Sequence, residues 1–263
     1  MIQTVHMRAS SVASFFDCPL RWASIHLFDV PPLPATAPAA IGTACHAGTA
    51  AYDQARLDGN PIKPDDAAGV VVDSLRHPEE EVDWGRVTPK EAERRALGVL
   101  TRYCTDVAPA MRYECVEHTL EPLVVEFDEY DIAIELTGTL DRIYLDSNQS
   151  AGVLDIKTGA RVCSQKPGKH KAQLGVYELL AESTLGRQIE LPGKIGQLQT
   201  SADYQVDVVD VPDTRVALIG NDDQPGLLEH AARMFREGMF FGNASSWLCS
   251  PKYCPVFNNC IFK

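Results

Sequence analysis

The central part of the chain alternates between apolar and polar positions, a period of two that is typical of half-buried β-strands. A turn rich in turn-forming residues, Asp146–Ser150, separates two of the predicted strands. A helix predicted over about 169–185 interrupts the run before two more strands follow. The pattern therefore favours a sheet with helices packed against it. The predicted strands cover about 115–127, 130–145, 152–157, 194–200 and 204–211.

Helical spacing of apolar residues dominates the two ends of the chain. A first helix, capped by Ser10 or Ser11, is predicted to run through Ile25, and the proline-rich stretch Pro31–Pro38 then forms a loop. A second helix is predicted over about 40–57, with a C-cap near Gly59. A third begins at a capping box formed by Thr88 and Glu91, and a last one covers about 213–238. We expect one domain, 1–263, with a helical part over 1–110, a sheet core over 111–212 and a C-terminal part over 213–263.

The composition is that of an ordinary globular protein, since 45% of the 263 residues are hydrophobic and 23% are charged. No apolar run approaches a membrane span and the amino terminus lacks a signal-peptide pattern, so we expect no membrane contact and a reducing, cytoplasmic compartment. There, the 8 cysteines would be thiols or metal ligands rather than disulfides. The net charge of −12 argues against tight, non-specific binding to nucleic acid.

Three charged residues fall at the ends of neighbouring predicted strands: Asp141, Asp155 and Lys157. Two carboxylates suit a hard cation such as Mg²⁺ or Mn²⁺, with room left for water and a phosphate oxygen. The lysine can orient or help to deprotonate an attacking water and offset charge that builds on the phosphate. The pattern predicts a metal site that breaks phosphodiester bonds. The alternative is a pair of solvated strand-end acids bonded to Arg142 and Lys157.

Four short motifs stand in this order: Gly42-Thr-Ala-Cys-His46, Gly138-x-x-Asp141, Asp155-Ile-Lys157 and Gln173-Leu-Gly-Val-Tyr177. Together they resemble the RecB-like branch of the PD-(D/E)XK nucleases. The resemblance implies an α/β (α+β) fold with a restriction-endonuclease-like core, in which helices flank a mixed central sheet and an N-terminal helical cap packs beside it. It also implies a Mg²⁺- or Mn²⁺-dependent deoxyribonuclease.

The resemblance assigns a role to each residue of these motifs. His46, Asp141, Asp155 and the carbonyl of Ile156 would hold the cation, and Lys157 would steer the attacking water. Gln173 and Tyr177, at i and i+4, would face the site and position the DNA strand. The alternatives are an ordinary packed histidine on a helix and an ordinary amphipathic helix over 169–185.

Four cysteines form a second candidate site: Cys18, Cys249, Cys254 and Cys260. Four thiolates can hold a [4Fe–4S] cluster or a tetrahedral zinc ion. Several RecB-like nucleases carry one amino-terminal and three carboxy-terminal cysteines that bind such a cluster, so the resemblance implies a clip between the two ends of the chain. This sequence departs from the family in the four residues between Cys249 and Cys254, where two are common. Four unrelated thiols are the alternative.

A basic segment, with Lys166, Lys169 and Lys171, follows the predicted catalytic strand. Beside a nuclease site it would form a track for the phosphates of single- or double-stranded DNA, although a solvated surface explains it equally well. By resemblance, the partners would include DNA ends, a second copy of the chain or a recombination or repair protein, and the setting would be repair, phage DNA processing or CRISPR adaptation. The rival functions are a non-catalytic module that binds DNA ends or a partner, and a zinc-stabilised scaffold.

Overall fold

The computed structural model describes residues 2–160, 167–201 and 203–263. A short π-helical turn, Tyr103–Val107, extends the fifth helix, and the 3₁₀ turn Pro167–His170 leads into the sixth. The helices are α1 (Ala9–Asp17), α2 (Pro19–His26), α3 (Ala37–Leu57), α4 (Pro64–Arg76), α5 (Pro89–Arg102), α6 (Lys171–Leu185), α7 (Thr214–Ile219) and α8 (Leu227–Glu237).

Within the described residues, six strands form the main sheet, and four two-residue strands form two small ribbons. The main sheet has the order β1-β5-β6-β7-β8, with β4 along the other edge of β5. β1 pairs with β5 in parallel, β6 pairs with β7 in parallel, and the remaining pairs are antiparallel. The strands are β1 (Gln3–Arg8), β2 (Ala35–Thr36), β3 (Val82–Asp83), β4 (Tyr113–Phe127), β5 (Ile132–Leu145), β6 (Ala151–Gly159), β7 (Gly193–Gln199), β8 (Val206–Val211), β9 (Gly220–Asn221) and β10 (Gln224–Pro225).

Helices cover both faces of the sheet, and each face has its own apolar core. Alternate residues of one strand point to opposite faces, so β6 contributes Val153 to one core and Ile156 to the other. The first core also contains apolar residues of α1, α2, α6 and α8, and the second is built from α3, α4 and α5. The expected mixed sheet flanked by helices is therefore confirmed.

Two strands pair with the same edge of β5, one at each end, and leave a gap in the sheet between them at residues 138–141. β1 pairs with β5 over Ile132–Thr137, whereas β6 pairs with it only over Arg142–Leu145. Beyond the pair Arg142–Leu154, β6 no longer pairs with β5, while its other edge is paired with β7. The segment of β5 over 138–141 therefore lies where two neighbouring strands diverge.

Two predicted helices are wrong in extent. The first is two helices, because Cys18 has an extended backbone (φ −150°, ψ 91°) and Pro19 begins a new helix. The last, over 213–238, is interrupted by the β9–β10 hairpin, which begins at Gly220 with φ +83°. The predicted proline-rich loop also ends early, since β2 and the start of α3 fall within it.

Two longer elements, β1 and α4, were not predicted, and neither were the four two-residue strands. The cap at Thr88 is confirmed, since its hydroxyl accepts a hydrogen bond from the amide of Glu91. The turn at Asp146–Ser150 is confirmed as well, with the Asp146 carboxylate accepting bonds from two amides of the turn. Among the described helices, none is both long and apolar enough to cross a lipid bilayer.

Candidate active site

Asp141 lies in the opening between β5 and β6. Its Oδ2 accepts a hydrogen bond from the backbone amide of Ile156, a donor that the diverging strands would otherwise leave buried and unpaired. Its Oδ1 faces His46 of α3, whose Nδ1 is 3.5 Å away. Burial alone would raise the pKa of Asp141, but His46 and the Ile156 amide hold it below its ordinary value. The carboxylate is thus ionised and fixed in place.

His46 reaches the sheet because α3 packs closely against β6. At Gly42, one turn earlier on the same helix, a Cβ atom would lie 2.7 Å from Oγ1 of Thr158, so only glycine permits this approach. Burial lowers the pKa of His46, but the carboxylates around it, Asp141 foremost and then Glu117 and Asp155, raise the pKa overall. The imidazole therefore has a negative partner and lies within reach of the strand ends.

Asp155 is almost completely buried, with 1% of its surface exposed. Its Oδ1 accepts hydrogen bonds from Lys157 Nζ and from Gln173 Nε2, each at 3.1 Å. Its Oδ2 lies 2.8 Å from Lys157 Nζ but, among the described residues, has no donor with hydrogen-bond geometry. Burial raises the pKa of Asp155, and the ammonium of Lys157 only partly opposes this. An oxygen with spare acceptor capacity therefore stays in the interior.

Gln173 and Tyr177 lie on the face of α6 that looks toward this carboxylate. Gln173 Nε2 is also 3.2 Å from the hydroxyl of Tyr177, so one amide group bridges the tyrosine and Asp155. Both side chains are buried. Burial, followed by the charge of Asp155, raises the pKa of Tyr177. The helix thus presents a fixed polar surface beside the two acids rather than an ordinary apolar face.

Glu117 on β4 joins the site, and the sequence interpretation missed it. Ligand atoms of His46, Glu117 and Asp141 all lie within 4.8 Å of one another. Glu117 falls between the pairs Val116–Arg142 and His118–Leu140, which puts it opposite Asp141. Its φ of +46° is in the left-handed region, which a strand residue adopts only under constraint. Burial, and then the charge of Asp141, raises the pKa of its carboxyl.

The interpretation of Asp141 and Asp155 as solvated acids does not match the structure, because both are buried. Arg142 does not bond to the Asp141 carboxylate but donates to its backbone carbonyl at 2.7 Å. The guanidinium points instead to Asp53 and Glu117. Of the alternative pairing, only the contact between Lys157 and Asp155 is present.

The predicted basic track is described only in part. Lys166 lies outside the described residues. Lys169 is exposed at the start of α6, and Lys171 Nζ is 3.7 Å from Asp213 Oδ2. Between them, His170 has its pKa lowered to about 4 by burial and by the charges of Lys157 and Lys169. Positive charge therefore adjoins Lys157 at the amino-terminal end of α6.

The four clip cysteines line one small pocket, together with apolar residues such as Leu248 and Val256. Cys18 is brought there by the break between α1 and α2, and the three others by the irregular C-terminal segment. Burial raises the pKa of the Cys254 thiol, and nearby Cys18 and Cys260 add to that effect. The structure thus brings together the cysteines of both ends of the chain: Cys18, Cys249, Cys254 and Cys260.

Protein contacts also join the two ends beside this pocket. Arg21 Nε donates to the carbonyl of Tyr253 at 2.9 Å, and the amide of Leu20 donates to the carbonyl of Phe241 at 3.0 Å. Asn243 Nδ2 bonds to the carbonyl of Asp17 at 2.9 Å. The amino-terminal helices and the tail therefore form one structural unit around the thiols.

The fold is a mixed sheet between helices, with charged side chains where the central strands β5 and β6 diverge. A family model of the PD-(D/E)XK nuclease superfamily matches residues 6–260, and the chain belongs to this superfamily. No curated protein matches the chain significantly.

Two solved structures are similar to this one at low sequence identity. The crystal structure of SSO0001 is 13% identical with a TM-score of 0.46, and the match covers 97% of this chain and 85% of that one. A candidate exonuclease from Eubacterium rectale is 12% identical with a TM-score of 0.48, and the match covers 93% of this chain and 86% of that one.

Proposed function

We propose that this protein is a deoxyribonuclease that depends on Mg²⁺ or Mn²⁺. The proposal rests mainly on one observation: Asp141 faces His46 and also accepts a bond from the amide that follows Asp155, whose carboxylate pairs with Lys157. Membership of the PD-(D/E)XK nuclease superfamily supports it.

The residues present suit a hard divalent cation. Asp141 and Asp155 offer carboxylate oxygens, which such ions prefer, and the neutral imidazole of His46 suits Mn²⁺ better than Mg²⁺. Asp155 Oδ2 is buried without a well-aligned donor, as expected of an oxygen that awaits a cation. Glu117 is a further candidate ligand, and the carbonyl of Ile156 remains a proposed one. A bound cation would polarise the scissile phosphate and lower the pKa of a bound water.

Lys157 has the chemistry to direct the attacking water. Its ammonium contacts Asp155 and is one-third exposed, so it lies at the boundary between the buried acids and solvent. From there it can donate to the water or to a phosphate oxygen and offset the negative charge that develops in the transition state. Gln173 is bonded to both Asp155 and Tyr177, and this pair would position the DNA strand.

DNA would approach along the positive charge of Lys169 and Lys171, at and just before the start of α6. Lys166, which precedes them in the sequence, remains a further candidate. Local charge decides such binding more than the net charge of −12 does. We expect weak binding with a shallow salt dependence, because the slope scales with the number of phosphates neutralised and few cations face them. By the family resemblance, the setting would be recombination, repair, phage DNA processing or CRISPR adaptation in the cytoplasm.

Digestion of three DNA substrates tests the proposal: end-labelled duplex, end-labelled single strand and closed circular DNA, each with Mn²⁺, Mg²⁺ or EDTA. The wild type should cut with either ion and not with EDTA. Lys157→Ala should retain its fold and lose activity by about 10²–10⁴-fold, the range for a lost proton-transfer group. Asp141→Asn should be inactive.

Lys194→Ala is the matched control, since Lys194 lies on the adjacent strand β7 and pairs with Asp210 rather than with the acids. It should cut as the wild type does. An inactive but DNA-binding wild type would contradict the proposal and support a non-catalytic module that binds DNA ends. If the wild type cuts the two linear substrates but not the closed circular DNA, the enzyme is an exonuclease.

We also propose that Cys18, Cys249, Cys254 and Cys260 hold a [4Fe–4S] cluster. The apolar walls of their pocket and its position between the two chain ends support a structural clip. Anaerobic purification followed by metal analysis distinguishes the candidates. A brown protein with ~4 iron atoms per chain supports the cluster. A colourless protein with one zinc ion supports the zinc-stabilised alternative, and a metal-free protein with four titratable thiols overturns both.

A further inference from the structure

Arg142 follows Asp141 directly on β5 and is completely buried, with 0% of its side chain exposed. A guanidinium in the interior is tolerated only where its donors are satisfied. Its Nε donates to Asp53 Oδ2 at 2.9 Å, and Nη1 donates to Glu117 Oε1 at 3.1 Å. Nη1 also donates to the carbonyl of Asp141 at 2.7 Å. One side chain thus contacts two of the three clustered residues His46, Glu117 and Asp141, namely Glu117 on β4 and Asp141 on β5.

The same guanidinium reaches the third residue through a relay. Its Nη2 donates to Thr49 Oγ1 at 3.3 Å, and this hydroxyl donates to the carbonyl of His46 at 3.1 Å. Thr49 and Asp53 both lie on α3, the helix that carries His46. Arg142 therefore bonds to α3 at two points, one of which is connected to the backbone of the histidine itself.

Asp53 has further polar contacts that help to hold it in place. The hydroxyl of Tyr103 donates to Asp53 Oδ2, and the hydroxyl of Tyr113 is 3.0 Å from that of Tyr103. Arg56 Nη1 is 3.7 Å from the second oxygen of Asp53. A buried ion pair costs more in desolvation than an apolar contact would, so its presence beside the acids favours a role other than stability.

We infer that Arg142 is a positioning residue that fixes His46, Glu117 and Asp141 relative to one another for cation binding. This inference rests on the proposed function, because it presumes that the cluster binds a divalent cation. Groups behind the ligands of a metal site set their orientation, and their loss typically lowers metal affinity 10–100-fold. Here the helix that carries His46 precedes β5 by about 90 residues, so a link between them has to come from side-chain contacts of this kind.

The test measures Mn²⁺ binding to the whole protein by titration calorimetry without DNA, alongside thermal unfolding in EDTA. Thr49→Val removes the relay and leaves the Arg142–Asp53 pair intact, whereas Thr49→Ser keeps the hydroxyl. Thr49→Val should weaken Mn²⁺ binding about ten-fold, and Thr49→Ser should bind as the wild type does. Thr101→Val is the control, since Thr101 is exposed on α5 and bonds in a similar manner to the carbonyl of Leu97.

Arg142→Lys tests the role of the guanidinium directly, because an ammonium can pair with Asp53 but cannot reach all of the guanidinium's acceptors. It should fold and bind Mn²⁺ more weakly than Thr49→Val does. Variants that unfold at lower temperature yet bind Mn²⁺ like the wild type would overturn the inference and leave Arg142 a purely structural residue. A wild type that binds no Mn²⁺ would refute the proposed function, and this inference with it.

Discussion

Gly138 lies directly beneath the ring of Tyr177. A Cβ atom at residue 138 would be 2.9 Å from Tyr177 Cε1 and 3.3 Å from the Cβ of Ala9, closer than side chains pack. Tyr177 in turn bonds to Gln173, which bonds to Asp155. The glycine of the motif Gly138-x-x-Asp141 is thus explained by packing: it lets the ring that is bonded to Gln173 lie against β5.

Gly138→Ala should therefore displace Tyr177 and disturb the active site. Overpacking of this kind destabilises by about 1–3 kcal/mol. We expect a larger fall in kcat than in substrate affinity, since the chemistry depends on the geometry around Asp155. Steady-state cleavage of an end-labelled duplex and thermal unfolding measure the two effects.

The control for that substitution is Gly69→Ala on α4, where an added Cβ would meet no atom within 4 Å. In an exposed helix this change stabilises by about 0.5–1 kcal/mol and should leave cleavage unchanged. If Gly138→Ala and Gly69→Ala give the same cleavage rate and unfolding temperature, the close contact between Gly138 and Tyr177 is not needed for activity.

Glu117→Gln tests the residue that only the structure revealed. The amide keeps the size of the side chain and removes the charge that faces His46 and Asp141. If Glu117 is a ligand, Mn²⁺ affinity should fall by roughly ten-fold or more, and cleavage should need more Mn²⁺ to reach half its maximum rate. Glu126→Gln, on the same strand but outside the cluster with His46 and Asp141, is the matched control and should leave both quantities unchanged. Equal Mn²⁺ affinity in the two variants would show that Glu117 only accepts the bond from Arg142.

The sequence predicted Asp141, Asp155 and Lys157 on neighbouring strands because strand alternation and order along the chain are local signals. The prediction that they lie at strand ends is wrong, since β5 and β6 both continue beyond them. Glu117 could not be predicted in the same way. Its place beside Asp141 depends on strand register and on a left-handed φ of +46°, and neither is written in the residue type. β1 was not predicted for a related reason, since the strand it pairs with, β5, is about 130 residues away in the sequence.

The helix α4 is different, because a signal for it was present. Pro64 begins it, Asp65 and Asp66 follow in the first turn, and buried residues recur every four positions at Ala67, Val71 and Leu75. The break at Cys18-Pro19 was also readable, since a residue before proline avoids the helical conformation. Its apolar neighbours continue the helical period on both sides, which hid the break.

Cys18→Ala should loosen both ends of the chain at once. Cys18 lies between α1 and α2, and its three partners lie in the tail, so the clip closes a loop of almost the whole chain. By analogy with cross-link entropy, its loss costs about 5 kcal/mol. We expect a lower unfolding temperature, loss of bound iron or zinc, and faster hydrogen exchange in α1 and the tail. Cys115→Ala, at a partly exposed cysteine outside the pocket, should retain the metal and serves as the control. Retention of metal by Cys18→Ala would contradict its assignment as a ligand.

Glu178 on α6 provides a pH-dependent prediction that is independent of the metal site. It is buried, and both of its oxygens lie within 2.7 Å of Thr214 Oγ1. Burial raises its pKa above the unfolded value of 4.5, with Thr214 and Arg215 opposing this and Glu182 adding to it. The folded state therefore binds the proton more tightly than the unfolded state does. As pH rises from 4.5 through the folded pKa, ionisation of this group lowers the free energy of unfolding.

Glu178→Gln removes that titration while keeping an oxygen to accept the bond from Thr214. Because every other group titrates alike in both proteins, the difference between their unfolding temperatures isolates Glu178. The variant should gain stability relative to the wild type between pH 4.5 and pH 7.5, and thermal unfolding at several values across that range measures the gain. A difference that stays constant with pH, or that shrinks as pH rises, would show that the buried carboxyl is not held in its protonated form by the fold.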